Sequence, residues 1–224
     1  MLDTQYRMHP DIQKAINQFY RDEKNNEGLK CGLKNPDLEK CHQIQDKTFH
    51  KKHLVWLKTK KSDEESQHKG SSSFFNESEI KRIKTTLDFL NKSYEKIEKK
   101  PSVGVITFYG SQLSELTSLE KKGFWRLPRE DRNYPHLDIR FGTVDRFQGQ
   151  EKDIIIVSLV RNNKKHEVGF AKKPHRINVA FSRARNLLII VGNPDNFRFG
   201  NNEKSAQQYD EIFNIAKKFG SVKG

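Results

Sequence analysis

Apolar residues come in short bursts along this chain, with long polar stretches between them. Ile12, Ile16, Phe19 and Tyr20 recur at helical spacing behind Pro10 and Asp11, a proline and an acid that suit a helix start. Residues 21–52 are polar and broken by Gly28, Gly32 and Pro36, which predicts irregular structure with one short strand. His53 to Lys58 reads as a strand, and the charged, serine-rich residues 59–73 as a mobile loop. Asn76 then caps a helix of about six turns, whose apolar stripe is Ile80, Ile83, Leu87, Leu90, Tyr94 and Ile97 and which Pro101 stops.

Val103 to Thr107 is a strand, and Phe108 to Gln112 turns into a helix with Leu113, Leu116 and Leu119 on one face. A second mobile loop is expected over 123–136, with Trp125 and two prolines, before a short strand from Asp138 to Phe141. Asp153 to Val160 is continuously apolar, as a strand covered on both faces would be. A basic loop over 161–174 leads to a helix from Arg176, which feeds the strand Leu187 to Val191 and a Gly192-Asn-Pro turn. The last helix spans Glu203 to Phe219, with Tyr209, Ile212, Phe213 and Ala216 inward. Strands alternating with helices predict an α/β fold: one domain over 1–224, with a parallel sheet and helices on both faces. Ligands in such sheets sit at the carboxyl ends of strands, so chemistry is expected after Thr107, after Gly142 and after Arg161.

The Arg176 helix carries three arginines. Arg176 and Arg183 lie seven residues apart and share a helical face, whereas Arg185 stands about 200° round from Arg183 at roughly 100° per residue. Ile177, Val179, Ala180, Phe181 and Ala184 bury part of this helix, and buried arginines call for anions. The run is either a solvated basic edge or an arginine finger held over a phosphate.

Composition sharpens the second reading. The 224 residues carry a net charge of +13, with 33% hydrophobic and 32% charged residues, and the pI is about 9.6. That balance favours polyanionic partners, nucleic acid first, although many lysines are scattered. Cys31 and Cys41 make no disulfide framework and point to an intracellular, reducing compartment. They also lack the Cys-x₂₋₄-Cys spacing of a zinc site despite His42, His50 and His53, so no metal site is expected. No apolar run reaches about 18 residues, so no membrane partner is expected. A structured element this close to Met1, with no leader, suggests a domain cut from something longer.

Three long motifs occur in order: Gln5-Tyr-Arg-Met-His-Pro10, Gly142-Thr-Val-Asp-Arg-Phe-Gln-Gly-Gln-Glu151 and Arg176-Ile-Asn-Val-Ala-Phe-Ser-Arg-Ala-Arg185. They resemble the later motifs of superfamily 1 nucleic-acid helicases of the nonsense-mediated-decay helicase and senataxin type. Gly104-Val-Ile-Thr-Phe-Tyr-Gly-Ser-Gln112 is similar to that family's intervening strand and turn, with Phe108 where proline is usual, and Asn76-Glu-Ser-Glu79 fits its helix start. The resemblance covers nearly the whole chain and implies the second of two RecA-like domains. ATP would lie between the domains, and single-stranded RNA or DNA would run across both.

By resemblance, Tyr6 stacks on adenine, Arg7 reaches the terminal phosphates, Glu151 meets the ribose, and Arg183 neutralises charge on the transferring phosphoryl group. Arg7 and Arg183 are thus the candidate catalytic residues. Thr107, Tyr109, Gln112, Thr143 and Asp145 are candidate nucleic-acid contacts, and Gln148 and Gly149 candidate couplers of strand to nucleotide. Blander roles stay open: Tyr6 and Tyr109 as core, Arg7 paired with Asp3 or Asp11, Asp145 and Glu151 satisfying Arg146 and Lys152, and Arg161 to His166 merely solvated. No Gly-Lys dipeptide exists, so the phosphate-binding Gly-x-x-x-x-Gly-Lys-[Ser/Thr] loop is missing, and Asp63-Glu64 follows lysines rather than an apolar strand. The expectation is a P-loop-type fold without its P-loop: half an ATPase, whose Mg²⁺ is ligated by an absent first domain. The competing class is a helicase-derived module that binds nucleic acid or a partner and is no motor.

Overall fold

The computed structural model describes residues 3–22, 27–121 and 134–224, with the side chains of 118–121 left out. The elements in order are β1 (Thr4–Gln5), α1 (Pro10–Ile16), β2 (Lys30–Cys31), α2 (Pro36–Glu39), β3 (Leu54–Leu57), β4 (Ser66–Gln67), β5 (Phe74–Phe75), α3 (Glu77–Glu95), β6 (Ser102–Thr107), α4 (Gly110–Lys121), β7 (Asp138–Thr143), β8 (Lys152–Ser158), α5 (Pro174–Phe181), β9 (Ala184–Val191), α6 (Pro194–Arg198), α7 (Glu203–Phe219) and β10 (Ser221–Lys223). Six strands form one sheet in the order β10-β3-β9-β8-β6-β7, every neighbouring pair parallel. β1 pairs with β2, and β4 with β5, outside it.

Strand alternation splits the core in two. Trp56, Ile155, Val157, Leu188 and Ile190 face a layer holding Ile12 of α1, Ile177 and Phe181 of α5, and Tyr209 and Ile212 of α7. Their neighbours Val55, Val105, Ile154, Ile156, Leu187 and Ile189 face Ile83 and Leu87 of α3 and Leu116 of α4. Since successive side chains point to opposite faces, continuous apolar runs such as β8 and β9 must be covered on both. The result is the expected α/β, RecA-like arrangement with helices on both faces.

Two local expectations change, and another falls largely outside the described residues. The stretch 59–73 is bolted down rather than loose: Asn162 Nδ2 donates to the carbonyls of Lys60 (3.0 Å) and Asp63 (2.8 Å), and Glu65 takes Arg161 Nε at 2.8 Å. The predicted loop 123–136 lies outside the described residues except for its end, where Tyr134 is buried and its hydroxyl donates to Asp88 at 2.8 Å. The second change is the arginine helix. α5 ends at Phe181, capped by Ser182 N–H to the Asn178 carbonyl, so Arg183 has left the helix and shares no helical face with Arg176.

Candidate functional site

The first motif is a rigid hook. Gln5 Oε1 accepts the N–H groups of Arg7 and Met8, both at 2.9 Å, while its Nε2 donates to the Met8 carbonyl (3.0 Å) and to Gln13 (2.7 Å). Met8 is buried, and the His9 N–H donates to the Arg185 carbonyl at 3.0 Å, so the hook is stitched to the start of β9. The Tyr6 ring is held outward, 64% exposed, and rests on Gly32, where a Cβ would collide with it. Tyr6 is therefore not a core residue.

Arg7 forms an ion pair with Glu151, and Arg185 Nε reaches the same carboxylate at 3.2 Å. Asp3, Asp11 and Lys152 are not the partners here: Glu151 sits between two arginines from the other two motifs. The Lys152 N–H donates to the Arg183 carbonyl at 3.0 Å, which places Glu151 beside Arg183. Arg183 is half-buried. Its Nε donates to the Val179 carbonyl (3.1 Å) and an Nη to the Ser182 hydroxyl (3.3 Å). Among the described residues no carboxylate lies within 4.0 Å of it. Burial, and then the charge of Arg7, push the Arg183 pKa down. Two half-buried guanidiniums thus share a surface with one carboxylate already engaged twice, an arrangement short of negative charge.

This cluster stands at the amino ends of β8 and β9, not at the carboxyl ends where α/β sheets usually bind ligands. The expectation drawn from strand ends is corrected for these residues. The second motif spans the difference. Thr143 ends β7 at the carboxyl edge, and a 3₁₀ turn over Val144–Phe147 carries the chain back to Glu151, at the amino end of β8. Gln148 and Gly149 lie exposed on this return, Gly149 with φ +80°.

At the carboxyl edge, three expected nucleic-acid contacts turn out to be internal. Thr107, Tyr109 and Gln112 are all buried. Gln112 joins the Asn76 N–H (2.8 Å) to the Ser158 hydroxyl (2.8 Å), and the Thr107 hydroxyl accepts the Tyr109 N–H at 3.4 Å. The Tyr109 hydroxyl accepts the Phe170 N–H at 3.1 Å. Their polar atoms are engaged in holding loops together. Arg161 and Asn162 of the expected basic loop are buried as well: Arg161 is clasped by Glu65 and Glu167, whereas Lys164 and Lys165 are exposed. Thr143 is half-buried, and Asp145 is ion-paired with Arg176, not with Arg146.

Sequence reasoning missed the partnership of Arg185 with Glu151, the support of Tyr6 by Gly32, and a buried network around Glu79. Asn76 caps α3, accepting the Glu79 N–H at 3.1 Å. The Glu79 carboxylate then accepts the Ser158 hydroxyl (2.6 Å) and the N–H of Val160 (2.9 Å), a β-branched residue at φ +71°. The spacing Asn-x-x-Glu was visible, but the partners are Ser158 at the end of β8 and Val160 just beyond it, 79 and 81 residues further on. His9, Asp37 and His53 bring ligand atoms within 4.8 Å of one another, with the His9 and His53 rings stacked at 3.4 Å. The two rings lie 14° from parallel, so one ion does not lie in the plane of both.

Comparison with known proteins places the geometry. Residues 1–195 match the family described as AAA domain. The chain is 32% identical over 200 residues to helicase sen1 of Schizosaccharomyces pombe, covering 88% of this chain and 11% of that protein. It is 32% identical over 194 residues to the regulator of nonsense transcripts 1 homolog of Drosophila melanogaster, covering 86% of this chain and 15% of that one. DNA polymerase alpha-associated DNA helicase A of Saccharomyces cerevisiae matches at 39% over 145 residues, 62% of this chain and 19% of its own. The chain thus spans between 11% and 19% of the length of these relatives. The solved C-terminal domain of a possible DNA helicase from Lactobacillus plantarum WCFS1 aligns over 84% of this chain and 87% of its own, at 14% identity and a TM-score of 0.44. Among the described residues no helix is long and apolar enough to cross a membrane.

Proposed function

The chain belongs to the AAA-domain family, among superfamily 1 helicases of the Sen1 and nonsense-mediated-decay type, and on that premise we propose that residues 1–224 are one RecA-like unit, the second motor domain of an ATP-dependent nucleic-acid helicase. The observation that carries the proposal is the meeting of Arg7, Glu151 and Arg183 from three distant motifs, with Arg183 lacking a carboxylate partner among the described residues. A half-buried cation held only by a carbonyl and a hydroxyl suits an incoming anion. The exposed ring of Tyr6, the chain neighbour of Arg7, suits a purine.

The residues present therefore fit part of an ATP site. Tyr6 would stack on the base, Glu151 would accept from the ribose while orienting Arg7, and Arg7 and Arg183 would face the terminal phosphates. Arg183 is the finger, because Arg185 is committed to Glu151 on the exposed side. Its part is electrostatic: a guanidinium fixed by Val179 and Ser182 stabilises charge spreading over a transferring phosphoryl group. The sequence has no Gly-x-x-x-x-Gly-Lys-[Ser/Thr] loop, and Asp63-Glu64 does not follow an apolar strand, so the phosphate cradle and the Mg²⁺ ligands would fall to the first RecA-like domain. Single-stranded RNA or DNA is the partner at the carboxyl edge, with Thr143 and neighbouring backbone groups as phosphate contacts and Asp145 as the residue that positions Arg176. Gln148 and Gly149, on the return from Thr143 to Glu151, would transmit strand occupancy to the nucleotide side.

The test joins this chain to a Walker-bearing first domain. Arg183→Ala should cut ATP turnover by about 10³-fold or more while the single-strand Kd stays within about twofold. Arg185→Ala should leave turnover within roughly tenfold. Equal losses from the two substitutions would remove the finger assignment.

A further inference from the structure

One aromatic ring at the carboxyl edge is presented rather than packed. Phe170 is 51% exposed. Lone exposed rings are common on protein surfaces, but this one is held from three sides. Its N–H donates to the buried Tyr109 hydroxyl at 3.1 Å, and its ring stands 5.3 Å from that of Tyr109, tilted 42°. The preceding Gly169 has φ +59°, and a Cβ there would collide with the Tyr109 hydroxyl, so the turn is fixed. The Arg176 guanidinium lies 5.5 Å from the ring centroid and is itself pinned by Asp145. Tyr109 in turn packs edge-on to Phe74 at 5.8 Å and receives an Arg161 Nη at 3.5 Å. The ring thus sits on a braced base with one side open. Lys172 and Lys173, two and three residues further along the chain, are exposed, and Asp145 lies two residues beyond Thr143.

An aromatic face with an adjacent guanidinium is what an unpaired nucleobase stacks on: every base has a π-face, and cations take the flanking phosphates. We propose that Phe170, with Arg176, is a base-stacking platform for a nucleotide of the single strand bound at the Thr143 edge. The proposal rests on the nucleic-acid reading above and adds a contact to the bases, which phosphate contacts alone do not supply. Tyr109 is a positioning residue here, since it acts through Phe170.

The experiment separates base from backbone. Fluorescence anisotropy measures binding of the chain to a labelled single strand of about 12 nucleotides and to an abasic sugar–phosphate strand of the same length. The expected result is on the order of tenfold tighter binding of the base-bearing strand. Phe170→Ala should pull that ratio toward one without weakening the abasic strand, whereas Phe170→Trp should keep it. Phe170→Leu, which retains bulk but loses the ring, should behave as the alanine variant does and guards against a folding defect. A ratio unchanged in the alanine and leucine variants overturns the platform, as does an equal weakening of both strands. Failure of the unsubstituted chain to bind either strand overturns the nucleic-acid reading together with the platform, a distinct outcome.

Discussion

Glu79→Gln should flatten a pH dependence that the buried network builds into this fold. Burial pushes the Glu79 carboxyl up to about 8 from its ordinary 4.5, against the lowering effect of its bonds to Ser158 and Val160. The folded chain then keeps a proton that the unfolded chain releases. A folded pKa above the unfolded one gives stability that is full below 4.5 and lost as pH rises through 8, at about 1.4 kcal/mol per pH unit. His42 runs the other way: burial, then the neighbouring His53, lower it from 6.5 to about 4, so its stability is present above 6.5 and lost on acidification. The two slopes nearly cancel between 4.5 and 6.5. From 6.5 to 8 Glu79 acts alone, and the loss should be roughly 2 kcal/mol, a large part of a typical domain's stability. Urea unfolding at several pH values across this window measures it. Wild-type stability constant from pH 6.5 to 8, or an equal fall in the glutamine variant, would refute the reasoning.

Tyr109→Phe keeps the packing but strips the hydroxyl from the Phe170 N–H; the expected cost is about 1–2 kcal/mol in urea unfolding, with a matching loss of base-over-abasic preference in strand binding. The 224-residue chain alone should hydrolyse ATP negligibly with or without single strands, since it has no phosphate loop; robust stimulated turnover by pure protein would contradict a site shared between domains.

The fold was legible where periodicity is strong. The stripe from Ile80 to Tyr94 and the apolar runs of β8 and β9 needed only one decision each, helix or doubly covered strand, and burial follows that pattern residue by residue. Arg183 was harder. Its seven-residue spacing from Arg176 looks helical, but the helix is closed by Ser182 so that Ala184 can enter β9, and no propensity difference marks the switch. Tyr109 and Gln112 misled for another reason. Polar side chains after a strand look solvent-facing from sequence, yet their partners, Phe170 and Ser158, lie 61 and 46 residues away. Long-range hydrogen bonds leave no local trace, so polar residues that brace a loop and polar residues that meet a ligand read alike. Motif resemblance brought Arg7, Glu151 and Arg183 into one argument; only the topology put them at the amino ends of β8 and β9.

That topology gives the second motif a mechanical role that Gly142→Ala can probe. The chain must return from the carboxyl edge at Thr143 to the amino edge at Glu151 within eight residues, passing β6 on the way. It does so with the buried Phe147 ring packed against Gly142 of β7 and Gly104 of β6. A Cβ at Gly142 would stand 2.8 Å from Phe147 Cε2, and one at Gly104 would stand 2.8 Å from Cε1. Neither glycine is at positive φ, so the requirement is close approach rather than backbone freedom. Phe147 is thus the pin that fixes the distance between the Thr143 edge and the arginine cluster. Gly142→Ala overpacks the pin at a cost of about 1–3 kcal/mol, which a folded domain can survive. If the return transmits strand occupancy, a protein joining this chain to a Walker-bearing domain should keep its basal ATP turnover and single-strand Kd but lose most of the stimulation of turnover by the strand. Stimulation retained in full, in a variant whose stability has fallen as expected, would mean that the signal travels by another route.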